Sequence, residues 1–265
     1  VLRPTSALSA DELARLRDVV SGRPLLRLYL DAALEDLARG RDDRLVLVGA
    51  DGEGAVLAIV FDDLAVATTA GRLRPDELAA AAATPLPAEI HLEPEHAPRL
   101  RALCAPRLIA ARELRIYGRP TEGASPDPEA RRMGPADAPA VAAFMRAHNP
   151  RTVFSGWMLD LPFAAVLDAD GAVAATAGTI ASAGGRSLIG NFLTRPDLRG
   201  RGLARRLALH MAWLHGADGA GEVLLATTAD NAPACRAYEA AGFGIVEERL
   251  QWDLAGAAPA QGVLP

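Results

Sequence analysis

The sequence predicts an α/β (α+β) chain whose two halves run through the same order of elements. Three observations carry this. A strand-like run, Ser187–Thr194, meets Pro196, turns through Gly200 and Gly202, and enters amphipathic helical spacing from Leu203 to about Leu214. From Ala136 onward the pattern reads α–α–β–β–β–α–β–α–β. A fainter version of that order occupies Asp11 to Tyr117.

In the first half, Asp11–Val20 and Leu25–Ala38 have helical spacing. Leu45–Val48 and Ala55–Phe61 flank Gly49–Gly54 as a hairpin. Leu64–Thr68 reads as a strand, Pro75–Ala83 as a helix entered at proline, and Glu89–Leu92 as a strand. Pro94–Cys104 reads as a helix and Glu113–Tyr117 as a strand. Gly118 to Asp137 holds prolines 120, 126 and 128, which disfavour regular structure, so a linker is expected there.

In the second half, Ala136–Ala147 places Ala138, Val141, Phe144 and Met145 at helical spacing, and a loop with a short helix spans His148–Leu161. Ala164–Leu167 and Val173–Ile180 flank Asp168-Ala169-Asp170-Gly171, a hairpin signal. The strand Ser187–Thr194, its helix, the strand Val223–Thr228, a helix around Tyr238 and a last strand Ile245–Trp252 complete the order. The expected domains are 1–118 and 132–254, joined by a linker at 119–131, with a frayed tail at 255–265.

The turn at Gly200 and Gly202 has the chemistry of an anion site. Unpaired N–H groups at a helix start sit at the positive end of its dipole. Glycines allow close approach of a phosphate, and Arg199, Arg201 and Arg205 supply charge. A P-loop needs Lys-Ser/Thr after its last glycine, and Leu203-Ala204 stands there. A dinucleotide fingerprint needs a small third residue, and Arg205 stands there.

The pattern Arg199-x-x-Gly202-x-Ala204 resembles the acetyl-CoA loop of the GNAT superfamily of N-acetyltransferases. Downstream, Asn231-x-x-Ala234-x-x-x-Tyr238-x-x-x-Gly242-Phe243 resembles that superfamily's last helix, at the expected distance. The resemblance covers Ser187–Phe243 and implies the GNAT acyl-CoA N-acyltransferase fold, with a mixed, mostly antiparallel sheet. Because the first half repeats the same order of elements, the chain reads as a tandem of two such domains. Where an N-terminal copy would hold its loop, the sequence reads Ala70-Gly71-Arg72-Leu73-Arg74-Pro75, so that copy is expected to be degenerate. This arrangement resembles glycine N-acyltransferase-like proteins.

At 265 residues the chain is long enough for two modest cores. All its basic residues except the histidines are arginine, yet the net charge is −5 and acids are interspersed, so no basic stripe argues for nucleic acid. Two cysteines, Cys104 and Cys235, make no disulfide framework and no metal spacing, so no metal is expected. No apolar stretch reaches membrane-spanning length, and the expectation is a soluble, cytoplasmic chain with no membrane partner. The oligomeric state is not legible.

Acetyl transfer needs a held thioester, a neutral amine and a proton for the departing thiolate. By resemblance, Phe192, Leu193 and Thr194 pair with the pantetheine arm of acetyl-CoA, and one of their N–H groups polarises the thioester carbonyl. Gly200, Arg201, Gly202, Leu203, Ala204 and Arg205, with Arg199, hold the diphosphate. Tyr238 is the candidate acid, since a phenol of pKa about 10 keeps its proton at neutral pH. Asn231 is expected to cap the Tyr238 helix and, by resemblance, to bond the pantetheine arm.

The general base stays open. Where some relatives carry Glu, this chain has Ala226 between Leu225 and Thr227. His148 is one candidate, and a water chain, or an amine that arrives neutral, are others. Trp157 and Asn191 are candidates for the acceptor wall. Cys235 is read as packing, and His210 and His215 as surface residues of the loop helix. The functional reading is an acetyl-CoA-dependent N-acetyltransferase acting on a primary amine, small molecule or peptide. The alternative is an acyl-CoA sensor or partner-binding scaffold without turnover, and the acyl group itself is not readable.

Overall fold

A computed structural model describes residues 2–40, 44–49, 51–60, 65–83, 88–149, 154, 156–168 and 170–256. Expectations at Phe61, Leu64, Pro150, Ala169 and 257–265 lie outside the described residues. The chain divides into two compact units. One comprises Val1–Arg115, Thr228–Asp230 and Glu247–Pro265, the other Ile116–Thr227 and Asn231–Val246.

The first unit opens with β1 (Arg3–Pro4), α1 (Ala10–Val20) and α2 (Pro24–Ala38). Helix α1 begins where Ser9 and Glu12 form a capping box: Glu12 N–H donates to Ser9 Oγ at 3.2 Å, and Ser9 N–H to Glu12 Oε2 at 2.9 Å. Then come β2 (Arg44–Val48), β3 (Gly54–Val60), β4 (Ala65–Gly71), α3 (Pro75–Ala82), β5 (Ala88–Leu92), α4 (Ala97–Cys104) and β6 (Leu108–Pro120) as far as Arg115. The helix expected at Pro94–Cys104 is split, because Pro94–His96 forms a 3-10 turn before α4. The last strand of the chain, β12 (Gly244–Leu254), enters this unit from Glu247 and pairs antiparallel with β5. The sheet runs β1-β2-β3-β4-β5-β12, and only β4–β5 is parallel. Strand alternation sends Ile90, Leu92, Trp252 and Leu254 into a core with Leu78 of α3 and Leu100 of α4.

The second unit takes β6 from Ile116, then β7 (Ala130–Arg132), α5 (Ala138–His148), a 3-10 turn (Gly156–Asp160), β8 (Phe163–Leu167), β9 (Val173–Ala183) and β10 (Arg186–Thr194). Helix α6 (Leu203–Ala217), β11 (Glu222–Thr228) and α7 (Ala232–Ala240) follow. Sheet order is β6-β11-β10-β9-β8-β7, with β10–β11 parallel and β7–β8, β8–β9 and β9–β10 antiparallel. The mixed, mostly antiparallel sheet is thus as the resemblance implies. Period-2 alternation divides its two faces: Ala164 and Val166 pack with Leu207 and Met211 of α6, while Phe163 and Ala165 pack with Val141 and Phe144 of α5.

The Gly118–Asp137 stretch is more structured than its prolines suggest. It holds the end of β6 and all of β7, and Asp127 is buried against the Arg206 guanidinium at 2.6 Å. That contact holds the Asp127 carboxyl below the usual carboxylate range.

His210 and His215, expected on the surface of the loop helix, are both buried. Asp127 N–H donates to His210 Nδ1 at 3.1 Å. Thr179 Oγ1 donates to Pro162 O at 2.6 Å, so its contact with His215 Nε2 at 2.9 Å has the imidazole as donor. His215 Nδ1 then accepts from Ser187 Oγ at 2.9 Å, and the neutral ring is fully satisfied. Burial pushes its pKa down to about 4, with Arg132 adding to the effect and Asp218 opposing it. The unfolded ring titrates near 6.5, so above that pH both states are neutral and this contribution to stability is complete. As pH falls from about 6.5 toward 4 the unfolded state binds a proton that the folded state refuses. Stability is then expected to drop by up to about 3 kcal/mol. Urea titrations of wild type and His215→Gln across that range check this; identical pH slopes contradict it.

Candidate functional site

The two parallel strands of the second unit part company midway. Pairing of β10 with β11 runs from Arg186↔Glu222 to Ile189↔Leu225 and stops there. Both strands continue, to Thr194 and Thr228, and Gly190–Thr194 and Ala226–Thr228 lose the full burial of the residues before them. On its other edge β10 stays bonded to β9, through Leu193↔Thr176 and Thr194↔Ala175. Strand N–H groups alternate in direction, and Arg195 N–H donates to Ala174 O on the β9 side at 2.9 Å. The N–H groups of Phe192 and Thr194 therefore point toward the β11 side, into the gap. An extended chain laid there finds backbone partners.

The gap leads to the start of α6. Gly200 and Gly202 both have φ of +76°, in the left-handed region, and a Cβ at either would meet nothing within 4 Å. Gly202 is the N-cap of α6, no side chain caps it, and Leu203 anchors the first turn by burying its side chain in the core. The surrounding arginines divide into two sets. Arg195 pairs with Asp168 and Asp197, and Arg206 with Asp127 and Glu129. Among the described residues, Arg199, Arg201 and Arg205, the three singled out from the sequence, form no close ion pair, and only Arg201 acts on a carboxylate, that of Asp197, from further off. Arg199 Nε donates to Thr194 O at 3.3 Å and Arg205 Nε to Ala240 O at 3.0 Å. Open N–H groups, flexible glycines and unneutralised guanidinium groups together suit a diphosphate.

Tyr238 lies on α7, almost fully buried, with its ring 5.3 Å from Phe192 of β10 and 6.0 Å from Tyr117 of β6. Burial pushes its phenol well above the ordinary value, so it keeps its proton throughout the physiological range. The helix stops just beyond it: Gly242 has φ of +81°, its N–H reaches Glu239 O, and Phe243 N–H returns to Tyr238 O at 3.1 Å. That closing turn explains the Gly242-Phe243 end of the motif. Asn231 is the N-cap of α7, but its side chain makes no capping bond; its amide donates to Thr227 Oγ1 at 3.1 Å instead. Tyr117, which the sequence reading passed over, donates to Glu239 Oε1 at 3.2 Å. Its distance along the chain left no local signal.

The acceptor candidates separate. Asn191 Nδ2 reaches Met158 Sδ at 3.5 Å, and Trp157 beside it is exposed, so these two share a neighbourhood. His148 stacks edge-on against Phe144 at 4.7 Å and lines an open depression of about 460 Å³ with Arg131, Asp137 and Arg195. Neither Tyr238 nor Asn191 lines it.

Residues 136–243 match the model of the acetyltransferase (GNAT) family. This part of the chain is a GNAT acetyltransferase domain. A comparison with curated proteins finds no match. Among solved structures, a Drosophila protein superposes with a TM-score of 0.74 at 15% identity, covering 97% of this chain and 99% of its own. A GCN5-related N-acetyltransferase from Sphaerobacter thermophilus gives 0.61 at 15%, covering 96% and 95%. An acetyltransferase of the GNAT family from Novosphingobium aromaticivorans gives 0.58 at 23%, covering 77% and 89%. At these identities the likeness is one of fold. The match over these residues supports acyl transfer in general.

The first unit also has a parallel pair, β4–β5, whose ladder stops at Thr68↔His91. Beyond that point its own side chains occupy β4. The Arg249 guanidinium bonds Thr69 O, Gly71 N–H donates to Glu93 Oε2 at 2.8 Å, and His96 Nε2 donates to Gly71 O at 2.8 Å. Glu93, Glu95 and His96 lie close enough to share a cation. However, Glu93 is already tied to Arg23, and His96 Nδ1 takes a 2.8 Å bond from Thr69 Oγ1. No helix among the described residues is long and apolar enough to cross a membrane.

Proposed function

We propose that the GNAT domain moves the acetyl group of acetyl-CoA to a primary amine by direct transfer. The observation that carries this is the gap between β10 and β11, which ends on the glycine-lined start of α6 and has Tyr238 packed against its Phe192. In this reading Phe192–Thr194 pair with the pantetheine arm, Asn231 adds a side-chain bond, and Arg199–Arg205 hold the diphosphate. The amine lone pair attacks the thioester carbonyl carbon, and the C–S bond breaks with its electrons going to sulfur. The Tyr238 hydroxyl gives its proton to that sulfur, the amine's surplus proton leaves to solvent, and a proton from solvent restores the phenol. Trp157 and Asn191 border the acceptor. The first unit takes no acyl-CoA, since its β4 is bonded by Arg249, Glu93 and His96. The reaction needs no metal and belongs in the cytoplasm, where acetyl-CoA is drawn on.

The test is thiol release from acetyl-CoA with a panel of primary amines and short peptides. One thiol per acetylated amine is expected for at least one acceptor class. Tight acetyl-CoA binding with no thiol release for any acceptor favours the sensor instead.

A further inference from the structure

Asn191 is the one non-glycine residue with positive φ among the described residues, at +54°. It sits where β10 breaks register with β9: Gly190 pairs with Gly178 and Leu193 with Thr176, so Asn191 and Phe192 together oppose Ala177. This is a bulge whose first residue is left-handed, a position that costs most residues about 1–2 kcal/mol and that asparagine tolerates better than most. The Asn191 carbonyl is not left to itself. Thr176 Oγ1, on a fully buried side chain of β9, donates to Asn191 O at 2.9 Å. The same hydroxyl lies 3.7 Å from Met145 Sδ.

The peptide unit is planar and trans, so the Asn191 C=O and the Phe192 N–H point in opposite directions. A hydroxyl that holds the carbonyl on the β9 side holds the N–H on the β11 side, inside the gap. We infer that Thr176 is a positioning residue, which fixes the Asn191–Phe192 peptide plane so that the Phe192 N–H is aimed at the thioester carbonyl. This rests on the acyl-CoA reading of the gap. Thr176 touches no reactant in it and acts through the backbone of the bulge. A pre-aimed donor stabilises charge on the carbonyl oxygen without reorganising during the reaction.

The experiment is isotope-edited infrared spectroscopy of acetyl-CoA labelled with ¹³C at the acetyl carbonyl, bound to four proteins. These are the wild type, Thr176→Val, Thr176→Ser and the double variant Thr176→Val/Asn191→Gly, with melting curves to establish folding. In the wild type the bound carbonyl stretch is expected below that of free acetyl-CoA. Thr176→Val, which keeps the shape and removes the hydroxyl, is expected to lose at least half of that shift, with acetyl-CoA affinity within about two-fold. Thr176→Ser restores the shift. So does glycine at 191, which takes positive φ without help. A wild-type shift in Thr176→Val, or no recovery in Thr176→Ser, overturns the role of Thr176. Failure of the wild type to bind acetyl-CoA overturns the acyl-CoA reading itself, and this role with it.

Discussion

Gly202→Asp is expected to weaken acetyl-CoA binding by about three orders of magnitude while leaving the protein folded. The new carboxylate stands at the N-cap of α6, where a diphosphate takes the open N–H groups. Two like charges about 4 Å apart at an effective dielectric near 20 repel by about 4 kcal/mol. That is close to a thousand-fold in affinity. The left-handed φ of +76° adds about 1–2 kcal/mol of folding strain for most residues with a Cβ, alanine included, and less for aspartate. Gly202→Ala carries that strain without the charge. It is expected to melt lower by a similar amount yet keep most of its affinity. Calorimetry on both separates charge from backbone; equal affinity in Gly202→Asp and wild type removes the loop from the site.

Tyr238→Phe is expected to lower turnover about 100-fold, at the low end of what a positioned general acid contributes. Affinity for acetyl-CoA stays nearly constant, because the ring and its contacts with Phe192, Tyr117 and Phe243 remain. The loss falls on kcat, since the proton is needed only as sulfur departs. Raised by burial, the Tyr238 phenol stays protonated across the assay range, so wild-type turnover has no basic limb from this group near neutrality. Full activity in Tyr238→Phe reduces the residue to packing.

What the sequence revealed was local. Glycine spacing before a helix, proline at a helix entry and apolar periods are written within a few residues of their effect. Hence the Thr194–Leu203 turn and nearly every described strand were legible, whereas Gly242-Phe243 stood out only as part of a motif and its role in ending the helix came from the structure. Partner choice between strands was not. Nothing near Glu247 says that Glu247–Leu254 will pair with β5 in the first unit, because that pairing is decided by residues far away in the chain. Buried polar groups were misread for the same reason. His215 looks like a solvent-facing residue of an amphipathic helix, and only the hydroxyls of Thr179 and Ser187, on separate strands, make its burial affordable. Thr176 hides in an alanine-rich strand, and Asn191 shows as a polar strand residue whose left-handed φ depends on a register break across two strands. Asn231 occupies the predicted N-cap, but its amide bonds Thr227 Oγ1, so the capping bond expected of it is not made.

The central claim is one acyl-CoA site per chain, in the GNAT domain, and titration calorimetry of the full chain with acetyl-CoA tests it most directly. The account predicts about one equivalent bound by the wild type, lost in Gly202→Asp and kept in Tyr238→Phe. Two equivalents would show that the first unit opens to the ligand despite Arg249, Glu93 and His96. No binding would contradict the assignment of the β10–β11 gap as an acyl-CoA site.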